Sequence, residues 1–154
     1  MKLRPAAIRA MGRSHRAIYR LTEGRVLGRV AGMPVLLLTT TGRRSGRRRT
    51  TPLTYFADGD TIAIVASNGG EDNPPAWWLN LSADPRASIT IGAQSQAVQA
   101  REATPDEHSR LWPMITETHA GYAVYQRRTT RPIPIVILAG DRGSPSSTTP
   151  PPRD

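Results

Sequence analysis

A small, mostly antiparallel β-barrel decorated by helices is the fold class that this 154-residue sequence predicts. Three observations carry the prediction. Short apolar and β-branched runs recur between tight turn signals. The element order is hairpin, strand, helix, hairpin, helix, closing strand, and not the strict strand–helix alternation of a parallel sheet. The chain is long enough for one domain with its own core, and it contains no internal repeat.

The elements follow in order. Residues 1–24 read as a basic amphipathic helix: Ile8, Met11, Ile18 and Leu21 share one side at about 100° per residue, with Arg9, Arg13, Arg16 and Arg20 opposite. The barrel is expected over 25–139. Its first strand is Val35 to Thr41, its second Thr50 to Phe56, and an arginine turn between them makes a hairpin. Pro52 cannot donate to a ladder, so it belongs at an edge, a bulge or a ligand-facing break. Asp58-Gly59-Asp60 turns the chain into a third strand, Thr61 to Ser67, which exits through Ala66-Ser67-Asn68-Gly69-Gly70. Asn73 is placed to cap a helix with Pro74 at its first position, stopped by Asp84-Pro85. Ala87 to Ile91 and Gln96 to Arg101 are two further strands joined across Gly92-Ala93-Gln94-Ser95. Thr104-Pro105-Asp106-Glu107 is a capping box opening a helix through Leu111, Trp112 and Ile115. Tyr122 and Tyr125 are three apart, so a helical turn sets both on one face. Pro132 to Leu138 closes the barrel as a sixth strand, and 140–154 is expected as a disordered tail rich in Ser, Thr and Pro.

Composition narrows the chemistry. The formal net charge is +9, which favours anionic partners such as phosphorylated cofactors, nucleic acid or acidic lipid. There is no cysteine, so disulfides, thiolate metal sites and a cysteine nucleophile are excluded, and a cytoplasmic location fits. The longest apolar run, Pro34 to Leu38, is too short to span a bilayer, so any membrane contact is peripheral. His15, His108 and His119 are scattered without neighbouring carboxylates at ligand spacing, so no metal site is expected. P-loop, Rossmann and Gly-x-Ser-x-Gly signatures are absent. What remains is an anion-holding turn, a glycine-rich strand exit and aromatic side chains. That inventory suits a phosphorylated redox cofactor that performs the chemistry itself.

Several blocks, in order, then carry a resemblance: Leu37 to Gly46, Arg49-Thr50-Thr51-Pro52-Leu53, Ala66 to Gly70, Asn73-Pro74-Pro75-Ala76-Trp77-Trp78-Leu79-Asn80-Leu81, Leu111-Trp112-Pro113, Gly121 to Gln126 and Arg131 to Val136. Over about residues 18 to 139 the chain resembles the deazaflavin-dependent nitroreductase family. The resemblance implies a split β-barrel of about six strands, an FMN-binding split-barrel-like fold, that binds coenzyme F420 and uses its reduced form as hydride donor. On it, Arg43, Arg44, Ser45, Gly46 and Arg49 would hold the phosphate and acidic tail. Thr51, Pro52, Leu53, Ala66, Ser67 and Asn68 would line the ring, Gly69 and Gly70 are further cofactor-binding candidates, and Ala76 and Trp77 would close the pocket. Ser67, Tyr122 and Tyr125 are the candidate catalytic residues, as hydrogen-bond or proton donors to an acceptor oxygen.

Thr54 and His119 stand where the nitroimidazole-reducing member of that family carries aromatic pocket residues, which favours a quinone over bulky nitro compounds as acceptor. A basic N-terminal helix would suit a lipid-soluble quinone at an anionic membrane surface. Two other readings stay open: an enzyme of the same fold using FMN, and, ranked behind, a non-catalytic nucleic-acid binder. The latter has no use for the tryptophan block or the glycine-rich exit, so no nucleic acid is expected as partner.

Overall fold

The structure is a computed structural model and describes residues 29–30 and 33–141. The helix expected within 1–24 and the tail from 142 onward lie outside the described residues. Eight strand segments form in chain order: β1 (Arg29–Val30), β2 (Met33–Thr41), β3 (Arg48–Thr54), β4 (Phe56–Asp58), β5 (Thr61–Val65), β6 (Arg86–Ile91), β7 (Gln94–Glu102) and β8 (Ile135–Gly140). Three helices interrupt them: α1 (Ala76–Ala83), α2 (Pro105–Thr118) and α3 (Gly121–Arg128). All strand pairings are antiparallel, in the order β1-β2-β6-β7-β8-β5-β4, with β3 on β2. The hydrogen-bonded path is open between β3 and β4, and the chain itself bridges that gap through Tyr55. Taking β3 and β4 as one bent strand gives a ring of six, split at the bend.

Alternation explains why the central strands are apolar on both faces. On β5 and β8, Ile64, Val136 and Leu138 face the barrel interior with Leu36, Leu38, Ile89 and Val98, while Ala63, Val65, Ile135 and Ile137 face outward against Leu111, Ile115 and Tyr122 of α2 and α3. Trp77 and Leu81 of α1 plug the interior. Two tight hairpins fix the register. Asp58 pairs with Thr61, and Ile91 with Gln94. In each the first of the two loop residues is a glycine at positive φ, Gly59 at 60° and Gly92 at 60°, the requirement of a type II′ turn.

Five local expectations are corrected. The second strand breaks at Tyr55 into β3 and β4. The β6–β7 link is a two-residue turn, not four, because Gln94 and Ser95 join the ladder. Helix α1 begins at Ala76 with Pro75 as its N-cap, so Asn73 does not cap it; instead the Asn73 carbonyl accepts from the Asn68 side chain at 3.0 Å. The third strand ends at Val65, short of Ser67. The closing strand starts at Ile135 and reaches Gly140, which pairs with Val98, so the barrel extends one residue past 139.

Candidate active site

Pro52 stands in the stretch where the barrel splits. The Tyr55 amide donates to Pro34 O at 3.3 Å, which fixes the phase of the β2–β3 ladder. Bonded and non-bonded pairs alternate in an antiparallel ladder, so the Pro52–Leu37 pair is non-bonded and the Pro52 nitrogen faces away from β2. The β4–β5 ladder runs from Asp58–Thr61 to Phe56–Ala63 and stops. Continued, its register would oppose Leu53 to Ala66, Pro52 to Ser67 and Thr51 to Asn68. Proline offers no donor on that edge, and pairing is not resumed. On that extrapolated register the predicted ring-lining residues of two distant stretches fall on the two strand edges, the lips of the split, left unpaired where the ladder stops. Their side chains alternate: Leu53 packs with the interior cluster, and Thr51 shares its face, while Pro52 and Thr54 point outward. A ligand along this lip would meet main chain and alternate side chains.

The opposite lip is an unusual backbone. Asn68, Gly69 and Gly70 have φ of 46°, 65° and 81°, forming a 3₁₀ turn after Ser67. A Cβ on Gly70 would lie 2.7 Å from Tyr125 O and 2.9 Å from Tyr125 Cα, so only glycine lets α3 approach the exit this closely. Ser67 is 8% exposed, and its hydroxyl has no hydrogen-bond partner among the described residues. Arg131, just after α3, donates to Ala66 O, Ser67 O and Glu71 O. Burial pushes its pKa down from the usual guanidinium value, opposed by the charge of Asp72.

Beyond the lips stands an aromatic group. The Tyr122 hydroxyl and Thr54 Oγ1 are 2.5 Å apart. The Tyr122 ring lies edge-on to Tyr125 at 5.8 Å and to Phe56 at 6.0 Å, and His119 is 5.1 Å away. Burial raises the Tyr122 pKa, with the Thr54 hydrogen bond acting against it, so this phenol stays protonated at neutral pH. His119 accepts from the Gly121 amide through Nδ1 at 3.1 Å, which starts α3. The structure therefore brings Thr54, His119, Tyr122 and Tyr125 together, as a helical turn at the two tyrosines requires.

The arginine turn closes on itself. Gly42 N donates to Arg47 O at 2.7 Å and Gly46 N to Gly42 O at 2.8 Å, with Gly46 at φ 68° and the Ser45 hydroxyl accepting from Arg47 N. Arg43, Arg44, Arg47, Arg48 and Arg49 are all exposed, and among the described residues none pairs with a carboxylate. Asn80, buried on α1, accepts from the Arg43 amide at 3.1 Å and donates to Thr40 Oγ1 at 3.2 Å, tying the turn to the helix. Ala76 is exposed at the start of that helix, whereas Trp77 is buried in the barrel interior. Asn80 and Arg131 are positions that motif reading did not assign a role. The signals were present: a lone amide within the apolar Trp77–Leu81 stretch, and an arginine just ahead of two prolines that lack ladder donors.

The donor set fits a phosphorylated cofactor with an acidic tail: guanidinium groups at a glycine turn that meet no carboxylate among the described residues, a buried hydroxyl without a described partner, and unpaired strand edges at the split. Among the described residues no group of three His, Asp or Glu could hold a metal ion.

Fold and groove together define a split-barrel cofactor-binding protein. The chain belongs to the F420H(2)-dependent quinone reductase family, whose profile matches residues 11–140. It is 46% identical over 130 residues to an F420H(2)-dependent quinone reductase of Mycobacterium tuberculosis, covering 82% of this chain and 87% of that relative. Among solved structures it is similar to an F420-H2 dependent reductase, with a TM-score of 0.62 and 37% identity over 68% of this chain and 93% of the other. A chain described as a domain-swapped dimer is similar at a TM-score of 0.65 and 34% identity, over 81% of this chain and 95% of the other.

Proposed function

We propose that this protein is an oxidoreductase that passes a hydride from reduced coenzyme F420 to a quinone or a similarly electron-poor small molecule. The observation that carries the reading is the split itself, where the β4–β5 ladder stops short of Pro52 and Ser67 beside an aromatic, hydroxyl-bearing face. When bound, the reduced deazaflavin supplies the hydride.

The chain's own residues supply binding, orientation and a proton. Arg43, Arg44 and Arg49, with Ser45 and Gly46, hold the phosphate and acidic tail through charge-assisted hydrogen bonds. Thr51, Pro52 and Leu53 on one lip, and Ala66, Ser67, Asn68, Gly69 and Gly70 on the other, line the ring. Ala76 bounds the groove from the α1 side, and Trp77, buried in the barrel interior, backs it from within. Ser67, Tyr122 and Tyr125 donate hydrogen bonds to the acceptor oxygen as negative charge develops there, and a neutral phenol of raised pKa remains available as that donor. Thr54 and His119 shape the acceptor side. FMN and nucleic acid are favoured by no observation on the fold, the site or the relatives.

We place the reaction in the cytoplasm, with the basic segment within 1–24 docking on the anionic inner face of the membrane. Among the described residues no helix is long and apolar enough to cross it.

The test is a titration of the full chain with oxidised coenzyme F420, followed by tryptophan fluorescence, and then quinone-dependent oxidation of the reduced form. Saturable binding with turnover is expected. Absence of saturation overturns the cofactor, and binding without quinone-dependent oxidation overturns the acceptor.

A further inference from the structure

We propose that Arg131 is a positioning residue that stands in for a missing ladder donor and holds the Ala66–Ser67 lip of the split in the place hydride transfer requires. The inference rests on the deazaflavin reading for its kinetic consequence and on the backbone geometry for its cause.

The β5–β8 ladder ends at Val65–Ile135, and one further bond runs from Ala66 N to Pro134 O at 3.0 Å. In an antiparallel bonded pair the second residue returns an N–H to the first. Pro134 has none, so Ala66 O would be left without its ladder partner. The Arg131 guanidinium fills that role: Nη1 and Nη2 each lie 3.3 Å from Ala66 O, and Nη2 reaches Ser67 O at 2.9 Å. Nε donates to Glu71 O at 3.0 Å, beyond the 3₁₀ turn. All three nitrogens are committed to main-chain carbonyls of the same lip, and among the described residues no carboxylate forms a salt bridge with this cation.

The clamp bears on one side of the lip only. On the other edge of β5 the β4–β5 ladder stops at Phe56–Ala63 and does not reach Ser67. Ser67 and its neighbours are therefore fixed from behind by Arg131 and from below by the close contact of Gly70 with Tyr125. A lysine has one nitrogen and cannot reach three carbonyls in this arrangement, so the fork matters, not the charge alone. Among the described residues no hydrogen bond or ion pair joins Arg131 to the arginine turn that would hold the anionic end of the cofactor.

The experiment compares Arg131→Gln and Arg131→Lys with the wild type, each as the full chain. It measures coenzyme F420 affinity by fluorescence titration, single-turnover oxidation of the reduced cofactor by saturating quinone, and hydrogen exchange at the Gly70 and Glu71 amides, which bond to Ser67 O and Asn68 O. A misplaced lip is expected to slow transfer about 10²-fold in both variants. Cofactor affinity falls by much less than the transfer rate, since the arginine turn still holds the anionic end and only the ring end meets the clamped lip. Exchange at the two amides accelerates while the melting temperature stays near wild type. Transfer at the wild-type rate in both variants overturns the proposal, as does a loss in which rate, affinity and melting temperature fall together in the lysine variant. If the wild type itself fails to bind the cofactor, the deazaflavin reading falls. The exchange arm then still decides the clamp, unchanged protection in the variants overturning it.

Discussion

Ser67 and Tyr122 are both buried hydroxyl residues, yet they are coupled to the fold in opposite ways. The Ser67 hydroxyl has no partner among the described residues, so Ser67→Ala removes no hydrogen bond among them. Urea denaturation of that variant is expected to shift by less than about 0.5 kcal/mol. If Ser67 donates to the acceptor, hydride transfer falls about 10²-fold, and a variant equal to wild type in single-turnover kinetics removes it from the catalytic set. Tyr122→Phe instead breaks the bond to Thr54 and is expected to cost about 1 kcal/mol. A double-mutant cycle with Thr54→Val measures that coupling, and additive effects would deny it. The pH dependence carries a sign. Burial raises the folded pKa of Tyr122 above its ordinary value of 10.0, so its contribution is complete below pH 10 and is lost as pH rises through the folded pKa. The phenylalanine variant should lose less stability than wild type over that alkaline range.

The elements differ in how far their causes reach along the chain, and this decides what was legible. The capping box of α2 lies within four consecutive residues and was readable: Thr104 Oγ1 accepts from the Glu107 amide at 3.2 Å, and the Glu107 carboxylate accepts from the Thr104 amide at 3.0 Å. Its ion-pair partner Arg101 was not, because the bidentate contact spans the end of β7. That guanidinium, with the Thr104 amide, holds Glu107 down at about 2 from an ordinary 4.5. The depressed pKa contributes stability above pH 4.5 that is lost as pH falls toward 2. Glu107→Ala is therefore expected to melt below wild type at pH 7, with the gap closing over that acid range in thermal melts; a gap independent of pH would contradict the assignment. Elements joined by backbone approach follow another rule. At Gly70 both the φ of 81° and the contact with Tyr125 oppose a side chain, so Gly70→Ala is expected to cost at least about 2 kcal/mol and to loosen α3 from the lip.

The molecule as a whole combines a barrel that local signals predict with a split that they do not. Turn glycines, alternating strands and the capping box announced a ring of about six antiparallel strands, and the Pro52 signal marked an edge. That pairing stops short of Pro52 became clear only from the ladders of β3 on β2 and of β4 on β5. Asn80 and Arg131 escaped assignment because their partners are up to 40 and up to 65 residues away. The charge distribution, by contrast, was open to view in the sequence. A net charge of +9 and a hairpin whose five exposed arginines meet no carboxylate among the described residues make a site whose affinity for anions must depend on salt. Charge-assisted hydrogen bonds contribute about 1.5–3 kcal/mol each, so the double variant Arg43→Ala with Arg44→Ala is expected to raise the coenzyme F420 dissociation constant about 10²-fold or more. Raising ionic strength from about 0.05 to about 0.5 M should weaken wild-type binding, and weaken the double variant less, because fewer screened contacts remain. Fluorescence titrations at the two salt concentrations decide the matter. Equal affinities in wild type and variant would take Arg43 and Arg44 out of the cofactor site and leave the hairpin's charge to serve another anion.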